Sequence, residues 1–221
     1  MIHSLALALM TFLIFAVAHA QDLTPTKETI IGWWNQPEKV EIGEVRQITL
    51  LGGEVAYLAS AQFPDRGRNF SHGAILARPS QQKAIDLSTL VDFQFDIVKL
   101  SSYPVSHIVT TPWASGQGTH EGTKTLLYFS GWEPIVVLTR LEYDDLGVNE
   151  GACPSKSRSF DWKFIDLNND ETLDLVEVRV DETKALPRCL LKKKTATRRY
   201  RSTEKLKFII MGSASPKGHL T

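Results

Sequence analysis

The chain has 221 residues, 43% of them apolar and 23% charged, with Lys+Arg equal to Asp+Glu. That is the balance of an ordinary globular protein, able to bury a sizeable core in one or two domains; zero formal charge gives no basis for a nucleic-acid partner. The charge is uneven: residues 21–150 carry 10 basic and 16 acidic side chains, and residues 151–221 carry 15 and 9.

Leu5 to Val17 holds no charge, Ala18-His19-Ala20 is a small-x-small box, and Gln21-Asp22 opens a polar stretch. This reads as a signal peptide over 1–20, cut after Ala20, although its first four residues lack Lys and Arg. An uncleaved anchor would need about 20 apolar residues. The expectation is an exported protein, periplasmic or extracellular, with no transmembrane span in the mature chain. Residues 21–30 read as a flexible N-terminal segment and 31–211 as a single β-rich domain. Residues 212–221, with Gly, Ser, Pro and His, read as a flexible tail.

Val40 to Leu51 and Glu54 to Ala59 flank Gly52-Gly53, a hairpin signal. Gly73 to Arg78 is a short strand stopped by Pro79, and Ser80 to Leu90 suits a helical turn or two. Val91 to Leu100 alternates, Val105 to Thr111 is β-branched, and Gly116 to Gly122 reads as an exposed loop. Thr123 to Phe129 and Pro134 to Tyr143 are strand-rich in composition. Phe160, Trp162 and Phe164 alternate with Asp161 and Lys163, the mark of a half-buried strand. Leu175 to Val180 follows, and Leu190 to Tyr200 with Lys205 to Met211 forms a closing hairpin. The fold class is therefore mainly β: an antiparallel meander, propeller-blade-like or a partial propeller or sandwich, with little helix beyond the signal peptide.

Between the last two alternating strands lies Asp166-Leu167-Asn168-Asn169-Asp170-Glu171-Thr172-Leu173-Asp174. Side-chain oxygens stand at positions one, three, five and nine, and Thr172 offers a backbone carbonyl at seven, the spacing a structural Ca²⁺ needs. Glu177, at position twelve of the loop region 166–177, is a second-tier ligand. The period-two flanks favour a strand–loop–strand site over a helical one. The alternative is an Asn/Asp-rich turn without metal. Cys153 and Cys189 are the two cysteines, and in an exported chain they pair; closing a loop of about 37 residues stabilises by roughly 4 kcal/mol in the chain-entropy account.

The segment Phe164 to Val176 resembles the Asp-x-Asn-Gly-Asp-Gly-x-x-Asp-Leu-Val loop of FG-GAP and VCBS-type repeats, with weaker similarity at Gly116–Thr119, Gly131–Pro134 and the Arg199–Phe208 hairpin. The resemblance implies a Ca²⁺ loop between strands of a β-propeller-like module, here a single or partial unit, that binds or supports. Asn169 and Glu171 stand where those repeats carry glycine, at positions that often need φ > 0; Asn tolerates this and Glu tolerates it poorly.

Catalytic signatures are weak. His72, His107, His120 and His219 lack metal spacing, no Gly-x-Ser-x-Gly elbow occurs, and two Ser-x-x-Lys matches lack companions. The favoured reading is a non-catalytic exported module with a structural Ca²⁺ loop, binding a protein or glycan partner in the cell envelope. The alternative is a secreted hydrolase with a Ser/His or carboxylate site. Trp33, Trp34, Trp113 and Trp132 are the aromatic candidates for a glycan, against a core role. The basic run Lys192-Lys193-Lys194 and Arg198-Arg199 reads as a solvated face, with docking to an acidic polymer or anionic membrane as its rival.

Overall fold

The computed structural model describes residues 24–67, 70–100, 105–116, 119–145, 153–185, 189–202 and 208–214. The signal-peptide reading and the final residues of the tail lie outside them. The architecture is mainly β, built from antiparallel meanders without a closed barrel.

One helix precedes the strands, α1 at Lys27–Trp34. Thr26 caps it by accepting the Thr29 N–H at 3.2 Å, satisfying one of the four orphan donors of a helix start. Ile30 and Trp34, one turn apart, are buried. The helix thus begins inside the stretch 21–30 assigned from sequence to a loose N-terminal segment.

Four strands form the first sheet in the order β1 (Glu41–Thr49), β2 (Val55–Gln62), β3 (His72–Arg78), β4 (Lys83–Asp86). Gly52 and Gly53 make the β1–β2 turn with φ of 98° and 87°, values open to glycine and costly for other residues. Pro79 ends β3 in a single 3-10 turn, Pro79–Gln81, so the helical expectation after Ser80 holds for one turn and gives way to β4. β2 and β3 are buried on both faces. Ala59, Ala61 and Ile75 pack under α1, while Leu58, Ala74 and Leu76 face the second sheet.

The second sheet holds β5 (Phe95–Val98), β6 (His107–Thr110), β7 (Trp113–Gly116), β8 (Thr119–Ser130), β9 (Glu133–Asp144), β10 (Ser155–Ile165), β11 (Asp174–Ala185), β12 (Leu190–Ser202) and β13 (Phe208–Ala214). Its order is β13-β12-β11-β10-β9-β8-β6-β5, with β7 on β8. The expected loop at 116–122 is a β7–β8 hairpin, Trp113 lying opposite Gly122. β13 reaches Ala214, beyond the expected end of the domain at 211. Phe95, Ile108, Leu127 and Phe129 meet the first sheet and make a sandwich core.

The long sheet is barely continuous at its middle. β8 and β9 pair along nearly their whole length, and so do β10 and β11, yet β9 and β10 pair only at Asp144–Ser157 and Tyr143–Arg158. From that corner the two strands diverge. The β10–β12 ladder folds over so that Phe160, Trp162, Leu175 and Tyr200 pack on Val109 and Leu126 of β6 and β8. Cys153 and Cys189 are bonded at the far end of the same ladder, with Cα atoms 5.9 Å apart.

His107 sits in this core, 1% exposed, its ring edge against Tyr128 at 5.5 Å. Burial pushes its pKa down from 6.5 to about 4, opposed weakly by a hydrogen bond at the Val105 backbone. The folded imidazole is neutral, so its contribution is complete above pH 6.5 and is lost as pH falls towards 4, a change of about 3 kcal/mol. In urea unfolding between pH 7 and 4, the parent should lose that much more stability than His107→Leu; parallel pH curves would contradict the assignment.

Candidate functional site

The loop expected to bind calcium does join two strands, β10 and β11, whose register closes at Ile165–Asp174. Asp166 organises it. One carboxylate oxygen accepts the N–H groups of Asn168 and Asp170, both at 3.2 Å, and the other accepts Glu171 N–H at 2.9 Å. Asp170 takes the Thr172 N–H at 3.0 Å and the Asn168 amide at 2.7 Å. Those two bonds, the Asn168 amide first, hold the Asp170 carboxyl below the usual carboxylate range. Asn169 and Glu171 adopt φ of 58° and 65°. The two non-glycine residues therefore do take the left-handed conformation, at a cost of about 1 kcal/mol for Glu171.

Side chains of Asn168 and Asp170 thus meet within hydrogen-bond reach, the Asp166 carboxylate gathers the backbone of the same turn, and Thr172 and the buried Asp174 follow. Turning the Asn168 amide over would present its oxygen in place of its nitrogen. Among the described residues, no three His, Cys, Asp or Glu side chains form a group able to hold a metal. The loop's donor set is mixed, carboxylate with amide and carbonyl, the hard oxygen chemistry that suits Ca²⁺.

Glu177 is placed elsewhere. It is 1% exposed on β11, and its carboxylate accepts Arg140 Nε at 2.7 Å, Trp162 Nε1 at 3.2 Å and the Tyr200 hydroxyl at 3.1 Å. Arg140 Nη2 also donates to Tyr200 at 2.6 Å. Nearby, Phe160 of β10 has no strand partner on the β9 side. Its N–H donates to Glu142 at 2.6 Å and its carbonyl accepts Lys124 Nζ at 2.7 Å. Burial raises the Glu142 pKa; the Phe160 N–H and Lys124 act against it. These side chains replace the backbone ladder that β9 and β10 lack, which makes Glu177 a structural anchor of the diverging strands.

The four candidate tryptophans separate clearly. Trp34 is buried beneath β2 and β3 and Trp33 packs beside it. Trp132 is held by Gln81 at 2.8 Å and covered by the Arg78 guanidinium at 4.7 Å from its centroid. Trp113 remains 44% exposed. Its ring lies across Gly122: a Cβ there would meet the indole at 2.7–3.0 Å, so only glycine lets the ring lie down on β8. Trp113 borders three adjoining depressions. One, of about 690 Å³, is lined by Asp92, Gln94, Asp96, Arg46 and Phe93. A second of about 360 Å³ adds His72 and Ser115, and a third of about 570 Å³ is more apolar, with Phe70, Val136 and Leu141. Burial, opposed by the Phe93 N–H and His72, raises the Asp92 pKa. The exposure of one indole among four and the glycine beneath it follow from strand register, which spacing does not reveal.

Histidine chemistry is thin. His107 is enclosed in the core, and His219 lies outside the described residues. His120 is exposed on the β7–β8 hairpin with Nδ1 2.7 Å from Ser115 Oγ, and His72 contacts Ser71 at 2.9 Å. No protein-family model, no curated protein and no solved structure matches the chain.

Removing Arg140 would strand a buried carboxylate, a change that costs on the order of 3–5 kcal/mol when one partner of a buried pair is lost. Arg140→Met should therefore lower the urea midpoint strongly, and Arg140→Met/Glu177→Met should recover a large part of it. A single variant as stable as the parent would show that the network carries no weight.

Proposed function

We propose that the chain is an exported, non-catalytic β module, stiffened by Ca²⁺ at the loop 166–174, whose groove around Trp113 binds a glycan. The observation that supports this reading is the indole laid over Gly122 with its outer face open to a polar groove. A sugar ring has an apolar face of C–H groups and a rim of hydroxyls. The exposed indole suits the first, and Asp92, Gln94, Asp96 and Arg46 suit the second. Export rests on the apolar N-terminal stretch and accords with the Cys153–Cys189 bond.

For the metal, Asp166, Asn168 and Asp170 supply side-chain oxygens and Thr172 its carbonyl, with Asp174 closing the curl. Bound Ca²⁺ would neutralise carboxylates that now share backbone N–H groups, and would fix the β10–β11 turn. The glycine-free positions 169 and 171 make the expected affinity modest. Adding millimolar Ca²⁺ to chelated protein should raise the melting temperature by several degrees, in line with mass action on the folded state. Asp166→Ala/Asp170→Ala should abolish the rise; an unchanged melting curve in the parent would remove calcium from the reading.

The glycan reading is tested by an array of envelope oligosaccharides followed by titration calorimetry. Trp113→Ala should weaken binding on the order of tenfold or more. Gly122→Ala, which displaces the ring, should weaken it in parallel. No bound glycan should be cleaved by the parent or by Ser115→Ala. Ser115-dependent turnover would instead support the hydrolase alternative, and equal binding by Trp113→Ala would move the site elsewhere.

A further inference from the structure

The basic run of the sequence is more than a charged strand once the register is applied. Residues directly opposite on neighbouring strands share a face. Arg158, Asp181 and Lys194 form one row across β10, β11 and β12, and Lys156, Thr183 and Lys192 form the next. Arg179 and Arg198 stand on the same face, further toward the core. Six cations therefore share one face with two carboxylates: Glu177, buried and opposite Arg198, is held by Arg140 at 2.7 Å, and Asp181 holds Arg158 at 2.7 Å and Arg179 at 3.0 Å. On the β9 side Asp144 pairs with Ser157, and the Asp145 carboxylate accepts the Lys156 N–H. On the opposite face Lys193 pairs with Glu182 at 3.1 Å, beside Lys184.

The end of this ladder is apolar and open. Leu190 and Leu191 begin β12 and are 61% and 54% exposed, one on each face of the strand. Lys192, Lys193 and Lys194 follow at once, and Lys184 lies opposite Leu191. Among the described residues β13 pairs with β12 only from Thr197 onward, and none of them pairs with the outer edge of Leu190 to Lys194. From Leu190 to Lys194 the strand rises about 13 Å. From this end inward the described order is Cys189 with its disulfide, then the two leucines, then lysines on both faces, then arginines.

We infer that this end of the β11–β12 ladder docks onto an anionic lipid surface, its two leucines entering the headgroup boundary and its lysines meeting lipid phosphates. Depth and charge agree with that use. Interfacial segments bury apolar groups roughly 5–10 Å into the boundary, and basic side chains within reach of an anionic leaflet add attraction. A hydrated anionic polymer would satisfy the cations and leave both leucines in water. Repulsion among the outer lysines, which have no carboxylate on their own face beyond Asp181, is relieved when they meet such a surface. The inference is independent of the Trp113 groove.

Protein starting at Gln21 contains every buried cluster described and lacks the apolar N-terminal run that would itself enter lipid. It should sediment with phosphatidylcholine vesicles containing about a third phosphatidylglycerol, not with phosphatidylcholine alone, and release in high salt. Lys192→Glu/Lys194→Glu should weaken that binding about tenfold, as should Leu190→Ser/Leu191→Ser, with melting temperatures of both variants unchanged. The leucine variant should keep the parent's retention on dextran sulfate, because that contact uses charge alone. Failure of the parent to sediment with anionic vesicles overturns the proposal. So does undiminished vesicle binding by the leucine variant, which would mark a face for soluble polyanions.

Discussion

The buried ion pair between Glu177 and Arg140 is the constraint on which the second half of the molecule depends. The pair links β11 to β9 across a strand that hardly touches β9. Buried charges are expensive to desolvate, and a pair is tolerated only when its remaining hydrogen-bonding capacity is met. Trp162, Tyr200 and the arginine meet it, each from a different strand. Apolar side chains could fill the same volume, but they would accept many relative positions of the two strand groups. Directional bonds from three strands to one carboxylate admit few. Beside them, Glu142 and Lys124 complete the backbone of Phe160, so the corner loses ladder bonds without leaving those buried groups unmet.

Legibility in the sequence followed locality. Alternation at Phe160, Trp162 and Phe164 marked β10, Gly52-Gly53 marked the first turn, and the spaced oxygens marked the β10–β11 loop with its left-handed residues. Each is a property of a few neighbouring residues. β2 and β3 were recognisable as strands but their two-sided burial was not, because alanine-rich strands under both a helix and a sheet have no polar face to alternate. Helix α1 is eight residues long and two of them carry its burial, too little for a periodic signal. Glu177 occupied a ligand position by count, and only the partners brought by β9 and β12 show its role. The Trp113 platform and the basic face likewise arise from cross-strand register, which is non-local.

The β10–β12 ladder carries a distinct chemistry at each end. At one, hard oxygens gather in a tight turn; at the other, leucines and lysines follow a disulfide. The aromatic and ionic rows between them pack on β6 and β8 and fix the ladder to the sandwich. The Trp113 groove belongs to the sandwich side, lined from β7, β8, the segment before β5, and through Arg46 and Asp96 from β1 and β5. The proposed calcium turn, glycan groove and lipid-facing end therefore draw on different residues.

The meagre pairing of β9 with β10 also divides the chain kinetically. Strands β10 to β13 contact mainly their sequence neighbours and share one cross-link, so they can form as a local meander ahead of the longer-range sandwich. The two sides of the corner are joined by side chains and two residue pairs, and local opening favours places with few backbone bonds. Opening at that seam would expose the Phe160 backbone and the ionic row together, parting the second sheet between β9 and β10 while the ladders on either side stayed paired. The molecule thus contains a natural line of sub-global opening, set by where its ladder stops.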